Sequence, residues 1–279
     1  MKRKYIFFDV DGTLIDRNRH MPPNTRDALQ KLSQQGHAIF IATGRSRGEI
    51  PPNVTDIAFE GYVCGNGAYT EYQGNILNHH LIPKEALMKL AQTLTAGRAH
   101  IYFANHNRSY VLRDSLSFYQ YWIRSITDDE DSWREFTDAI VVLDDLFELT
   151  QYDVEKIIYF DFHGDYQKMK QEFANQFLIL PSSIDFEQDT SAGEVTAAGV
   201  TKAYGIEHMI QHLNIDIKDV ITFGDGYNDL EMTAFASIGV AMGNAVPALK
   251  EIDDLTVENL AEDGISKGLI ELGLIEVDE

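Results

Sequence analysis

Tyr5-Ile6-Phe7-Phe8-Asp9-Val10-Asp11-Gly12-Thr13-Leu14 is the stretch on which the fold turns. Four consecutive apolar residues, with no polar alternation, describe a strand buried on both faces, as in a parallel sheet. Gly12-Thr13 ends it with turn chemistry. Asp9 and Asp11 are thereby placed at the carboxyl end of a core strand, where open α/β sheets bind ligands. Burying one charge there is costly, and burying two of the same sign is worse. A metal cation is the simplest remedy. In a strand, residues i and i+2 also point the same way, which aims both carboxylates at one site.

Outward from this point the same pattern repeats. A helix is expected from about Pro23 to Gln35, with Ala28, Leu29 and Leu32 on its buried face and Gly36 closing it. His37 to Ala42 reads as a second buried strand ending at Thr43-Gly44-Arg45, and Gly61-Tyr62-Val63-Cys64 as a third. Strands alternating with helices imply a right-handed parallel sheet. The middle of the chain differs. Ile101 to Ala104 and Ser109 to Leu112 read as a hairpin around Asn105-His106-Asn107, and Phe118 to Ile123 as an aromatic-rich helix. Val154 to Phe162 reads as a strand, Asp165 to Phe177 as a helix, and Leu178 to Leu180 with Ser183 to Glu187 as further strands. Asp128 to Asp131, a short acidic run, reads as a solvated loop. From about Val200 the first pattern returns, with a helix from Lys202 and the strand Val220-Ile221-Thr222-Phe223 ending at Gly224-Asp225-Gly226. The expected fold is therefore α/β: a Rossmann-like, doubly wound parallel-sheet core (residues 1–81 and 188–279) carrying an inserted α+β cap (residues 82–187).

Composition narrows the function. The 279 residues are 44% hydrophobic, enough for a real core. A formal net charge of -21 argues against nucleic acid or an anionic membrane surface as partner. Phosphate-bearing ligands are repelled at long range, so any such ligand needs a local positive site of metal, lysine and backbone N–H groups. The single cysteine, Cys64, excludes an internal disulfide and a multi-cysteine zinc site, and reads as a small buried hydrophobe. No apolar run approaches the roughly 18 residues of a membrane span. Met1-Lys2-Arg3-Lys4 leads straight into the first strand, without a secretory signal, so the reading is a soluble, cytoplasmic protein, a monomer or small homo-oligomer.

Four clusters end core strands or open core helices: Asp9/Asp11, Thr43, Lys202, and Gly224-Asp225-Gly226-Tyr227-Asn228-Asp229. With Cys64-Gly65-Asn66-Gly67-Ala68, Gly239-Val240-Ala241-Met242-Gly243-Asn244-Ala245, Asn259 to Gly264 and Gly268-Leu269, they resemble, in order, the haloacid dehalogenase superfamily of phosphatases, and within it the Cof-like, sugar-phosphatase-type branch. The short gap from Asp9 to Thr43 holds only a helix and a strand. The long gap from Thr43 to Lys202 has room for a cap, the position typical of the large α/β caps of Cof-like members.

The resemblance implies a Mg²⁺-dependent hydrolysis of small phosphorylated metabolites, sugar phosphates first. Asp9 is the expected nucleophile, splitting a reaction that is extremely slow in water through an aspartyl-phosphate. Asp11 is the expected general acid and base, a role needing a carboxyl that holds a proton near neutral pH. Mg²⁺ would be bound by the side chains of Asp9 and Asp225 and the backbone carbonyl of Asp11. Gly12, Thr43, Gly44, Lys202 and Asn228 would contact phosphate, and Asp229 would hold Lys202 or a metal-bound water. A phosphomutase with the same core, or a non-catalytic regulatory protein on this scaffold, are the alternatives. Retention of every catalytic position ranks the last lowest.

Taken singly, each residue has a plainer reading. Thr43 suits a cap or turn, Lys202 a solvated helix, Asp225-Gly226 a turn. Arg45 is expected to form a structural ion pair with a core carboxylate. Asn66 reads as a turn residue shaping the floor of the site. His79 and His80 invite a metal, but no third ligand is visible nearby in the sequence, so they read as loop histidines near the junction with the cap. Tyr119, Tyr121 and Trp122 fit helix-face packing better than a wall over the substrate. Asn105 to Arg108 read equally as an exposed turn or as a tip reaching the site.

Overall fold

The computed structural model describes residues 2–126, 133, 134, 137, 140–181 and 190–276. Five strands come first: β1 (Tyr5–Phe8), β2 (Ala38–Ala42), β3 (Gly61–Cys64), β4 (Tyr69–Tyr72) and β5 (Asn75–His79). Then come β6 (His100–Ala104), β7 (Ser109–Leu112), β8 (Ile140–Leu143), β9 (Lys156–Phe160), β10 (Phe177–Pro181) and β11 (Gly193–Ala197). The chain closes with β12 (Val220–Gly224), β13 (Ile238–Ala241) and β14 (Leu255–Thr256). The chain forms two compact units, one of residues 1–45, 50–78 and 201–279, the other of 46–49 and 79–200.

The first unit is built on a sheet of order β14-β13-β12-β1-β2-β3-β4-β5. β1 pairs in parallel with both β2 and β12, with Phe8 level with Ile41 and Phe223. Its apolar residues divide by strand alternation. Ile6 and Phe8 pack on one face with Leu29, Leu32, Ile265 and Leu269 from the helices Pro23–Gln34 and Gly264–Glu271. Phe7 packs on the other with Phe40, Val63, Ile206 and Met209, the last two from the helix Lys202–His212. Helices on both faces explain the unbroken apolar runs of β1, β2 and β12. The strand order runs β1-β2-β3 on one side and β12-β13-β14 on the other. The crevice at such a reversal, at the strands' carboxyl ends, is where α/β sheets bind ligands. Asp9, Thr43 and Asp225 immediately follow β1, β2 and β12.

Three strands of this sheet escape the sequence pattern: the short β14 and the pair β4 and β5. β4 pairs antiparallel with β3, and β4-β5 is a hairpin turning at Gln73-Gly74, both with positive φ (47° and 80°). That is the primed turn a two-residue hairpin requires, supplied here without the usual Asn-Gly signal.

The second unit holds a sheet of order β10-β11-β9-β6-β7-β8, antiparallel except where β7 meets β8. On one face Leu87, Leu90 and Leu94 of the helix Lys84–Ala96 pack with Ile101, Phe103, Ile157 and Tyr159. On the other, Tyr119 stacks on Tyr102 at 4.9 Å and Trp122 meets Phe160 at 4.9 Å, while Tyr121 is 74% exposed. The aromatic helix thus packs against its own sheet. The sequence placed the return to the core at residue 188. Gly193 and Glu194 instead begin β11, which pairs with β9 and β10, and the second unit runs to Val200. The predicted helix Asp165 to Phe177 is shorter, Tyr166–Glu172, because Phe177 already pairs with Ala197. The acidic run 128–131 and the predicted strand 183–187 lie outside the described residues. Among the described residues, no helix is long and apolar enough to cross a membrane.

Candidate active site

Lys202 is the first residue of its helix, whose preceding Thr201 caps it by accepting from the Tyr204 N–H at 3.2 Å. Its side chain is wholly buried, and Nζ donates to Asp9 Oδ1 at 2.6 Å and to Asp229 Oδ1 at 2.6 Å. Burial by itself disfavours the ammonium, but Asp229 and Asp9 outweigh it and hold the pKa of Lys202 above its ordinary value. The helix amino terminus is fixed from behind by Gly67, which has φ +97°; a Cβ there would lie 1.9 Å from the Thr201 carbonyl oxygen.

Asp229 is fully engaged. Its other oxygen accepts from the backbone N–H groups of Asp225 (2.9 Å) and Gly226 (2.8 Å), so it ties the turn after β12 to Lys202. Asp225 is positioned by two residues whose part the sequence did not reveal. Thr13 Oγ1 donates to its Oδ1 at 2.8 Å, and Asn244 Nδ2 donates to its Oδ2 at 3.4 Å and to the Gly12 carbonyl at 2.9 Å. Asn244 belongs to a motif that was legible, but its task depends on a contact across more than two hundred residues of chain. Gly12 makes the approach possible: its φ is +82°, and a Cβ would lie 2.2 Å from Asp225 Oδ2.

Asp9, Asp225 and Asp229 each place a carboxylate oxygen within 4.8 Å of the others. Burial raises the pKa of Asp9 to about 7, Lys202 pulling it down while Asp229 and Asp11 push it up. Burial and the charges of Asp9 and Asp229 raise Asp225 well above the carboxylate range. Were all three ionised, they would carry two negative charges more than the one ammonium balances, which is what raises the pKa of Asp9 and Asp225 and what one divalent cation would cancel. The donors are all oxygen, the chemistry of Mg²⁺ or Ca²⁺. Since Asp229 already serves Lys202 and two N–H groups, Asp9 and Asp225 are the carboxylates with capacity for an ion.

Asp11 does not share this cluster. β1 ends at Phe8, so strand alternation no longer governs residues 9 to 11, and the two carboxylates meet different cations. Arg45 forks onto Asp11, Nε to Oδ2 at 2.7 Å and the terminal nitrogen to Oδ1 at 2.7 Å. This is the structural ion pair expected of Arg45. The Asp11 side chain is 52% exposed, so only one of the two strand-end carboxylates is buried; packing around it pushes its pKa up, but the charge and hydrogen bonds of Arg45 outweigh that and lower it. In this arrangement Asp11 is a carboxylate, not the protonated acid anticipated from the sequence. Arg45→Gln is expected to raise the pKa of Asp11, checked by carbon-13 NMR titration of the carboxyl group. The stability this pair gives the wild type is present above the unfolded pKa and is lost as pH falls through the depressed folded value. The variant should lack that acid-side loss.

The remaining predicted positions form a connected chain. Buried Thr43 donates its N–H to the Val63 carbonyl at 2.8 Å, and its own carbonyl accepts from Asn66 N–H at 3.1 Å. Asn66, buried in the left-handed region at φ 52°, accepts from Asn228 Nδ2 at 3.0 Å. Gly44 lies between Thr43 and Arg45, whose N–H donates to Thr43 Oγ1 at 3.1 Å. Cys64 is buried.

An aspartate paired with a buried lysine at the end of a central parallel strand, with an oxygen-only cluster beside it, is the arrangement the sequence led one to expect of a hydrolase. Residues 6–269 match the family of haloacid dehalogenase-like hydrolases, and the chain belongs to that family, in its Cof-like, sugar-phosphatase-type branch. It is 29% identical over 99% of its length, and 100% of the relative's, to YkrA of Bacillus subtilis (strain 168), a protein named as a candidate phosphatase. It is 29% identical over 87% of its length, and 85% of the relative's, to an HMP-PP phosphatase of Cronobacter sakazakii. Among solved structures it resembles a subclass IIB sugar phosphatase of the same superfamily, with a TM-score of 0.80, 28% identity, and 98% and 100% of the two chains covered.

Proposed function

We propose that this chain is a Mg²⁺-dependent phosphatase that hydrolyses small phosphorylated metabolites, sugar phosphates foremost, through an aspartyl-phosphate on Asp9. The observation that carries the proposal is the buried Asp9 carboxyl, 2.6 Å from Lys202 Nζ, with the carboxyls of Asp225 and Asp229 within 4.8 Å. An Asp9 oxygen attacks phosphorus, and the bond from phosphorus to the ester oxygen breaks. Asp11 gives its proton to that leaving oxygen. In the second step Asp11 takes a proton from water, the water oxygen bonds to phosphorus, and the bond to Asp9 breaks, releasing phosphate. To act in this way Asp11 turns away from Arg45 and takes up a proton. Lys202 holds positive charge on Asp9 and phosphate. Thr43, the Gly44 N–H and Asn228 are assigned to the phosphate oxygens, and Gly12, whose own N–H donates to the Ile15 carbonyl at 2.8 Å, lets the backbone come close to the phosphate. Asp9, Asp225 and the Asp11 backbone carbonyl would hold Mg²⁺, which when bound offsets the repulsion between nucleophile and phosphate.

Substrate choice is assigned to the inserted segment, residues 82–187 with the rest of its unit. The relative named for HMP-PP and the structural neighbour named as a sugar phosphatase support a small phosphorylated metabolite as substrate class. The test is phosphate release from p-nitrophenyl phosphate and a panel of sugar phosphates. Turnover with Mg²⁺ is expected to fall by about 10³-fold or more on chelation, the several kcal/mol a metal supplies, and to return when Mg²⁺ is restored. Turnover indifferent to chelation would refute the metal's part. Isomerised sugar phosphate without phosphate release would mark the phosphomutase instead.

A further inference from the structure

His79, which the sequence left as a loop residue for want of a third ligand, finds two partners in the second unit. Its Nε2 lies 2.6 Å from Glu155 Oε1, and His106 Nδ1 lies 2.9 Å from the same oxygen. The two imidazole rings meet edge to face at 4.8 Å between centroids, so both present a nitrogen to one carboxylate. We propose that His79, His106 and Glu155 form a binding site for a late first-row divalent cation of the zinc class, separate from the oxygen-lined Asp9–Asp225 cluster.

Four observations carry this. The three ligand atoms lie within 4.8 Å of one another. Bonds of about 2.0–2.1 Å in a zinc tetrahedron set ligand atoms roughly 3.3 Å apart, so small adjustments bring these three into place. Glu155 is only 1% exposed, and its Oε2 has no hydrogen-bond partner among the described residues, leaving a buried carboxylate oxygen for an ion to satisfy. The histidine side chains are 25% and 20% exposed, which gives a cation a way in from solvent. The supports are fixed by backbone: the N–H of His106 donates to Glu155 Oε1 at 2.9 Å, the Glu155 N–H to the Ala104 carbonyl at 2.9 Å, and the Gly48 N–H to the His106 carbonyl at 2.9 Å.

Donor chemistry sets the ion. Two imidazoles and one carboxylate favour zinc, nickel or copper over Mg²⁺, which prefers oxygen. Three protein ligands leave a fourth position for water. The ion would replace the protons now shared with Glu155 and, within the second unit, tie His79 to the β6–β7 turn and to the residue before β9.

The test is calorimetric titration of chelator-stripped protein with Zn²⁺ in excess Mg²⁺. One equivalent is expected to bind in the wild type and in Asp225→Asn. His79→Gln and His106→Gln are each expected to weaken it at least 100-fold while melting like the metal-free wild type. Crystals soaked in Zn²⁺ should show anomalous scattering between His79 Nε2 and His106 Nδ1. Failure of the wild type to bind Zn²⁺, binding that survives both histidine substitutions, binding lost in Asp225→Asn but kept in the histidine variants, or absence of the anomalous peak would each overturn the proposal.

Discussion

Asp9→Asn is expected to abolish phosphate release, lowering turnover by about 10⁴-fold or more, the scale seen when a covalent nucleophile is removed. Asparagine keeps the shape and can still accept from Lys202, so the loss reports the chemistry rather than the fold. Stability should move the other way. In the metal-free protein Asp9 is held at a pKa of about 7 against an ordinary 3.8. Below 3.8 both folded and unfolded forms carry the proton. Between there and about 7 the unfolded chain releases it while the folded chain keeps it, so the wild type loses stability as pH rises through that window. The gap is worth on the order of 4 kcal/mol. Asp9→Asn removes this loss, so the metal-free variant should resist urea better than the metal-free wild type at pH 8, with the difference vanishing near pH 4. Mg²⁺ should then stabilise the wild type more than the variant. An inactive variant no more stable than the metal-free wild type at pH 8 would contradict the electrostatic reading; an active one would contradict the nucleophile.

That reversal shows which parts of the site were legible in advance. The strand before Asp9 declares itself because a buried parallel strand cannot hide its apolar run, and Gly12 and Gly224-Asp225-Gly226 punctuate strand ends. Charge and strand position together put Asp9 and Asp225 at one crevice. What local pattern could not convey is partnership. Whether Asp11 faces Asp9 or Arg45 depends on where β1 stops, and one residue of strand decides it. Thr13 and Asn244 are unremarkable polar residues until the fold sets both on Asp225. The β4–β5 hairpin escaped because Gln73 takes the left-handed conformation that the more usual Asn or Gly would have announced. β11 escaped because Glu194, Val195 and Thr196 alternate for too short a span to outweigh their neighbours. The histidine pair failed for the opposite reason: His79 was noticed, but His106 and Glu155 reach it only through β6 and β9.

Lys202→Met is expected to harm fold and activity together. Lys202 sits at zero exposure between two carboxylates. Methionine fills the volume but leaves Asp9, Asp225 and Asp229 as buried anions with no cation. Breaking a buried pair from one side costs about 3–5 kcal/mol, and loss of the charge on phosphate should lower turnover by roughly 10²–10³-fold in whatever protein folds. The pH dependence follows from the same charges. With the ammonium gone, Asp9 and Asp225 hold their protons to still higher pH in the folded state than in the unfolded one, so the variant's deficit is greatest at pH 8 and shrinks as pH falls and they protonate. Urea unfolding of metal-free protein across that range checks it. Adding Asp229→Asn should recover much of the stability at pH 8, because it removes one orphaned charge while its amide can still accept a backbone N–H from the turn after β12. It should recover none of the activity. A double variant as inactive as the single one but markedly more stable would separate the two duties of Lys202: balancing the buried carboxylates, which an amide at Asp229 can partly replace, and placing positive charge on Asp9 and phosphate, which it cannot.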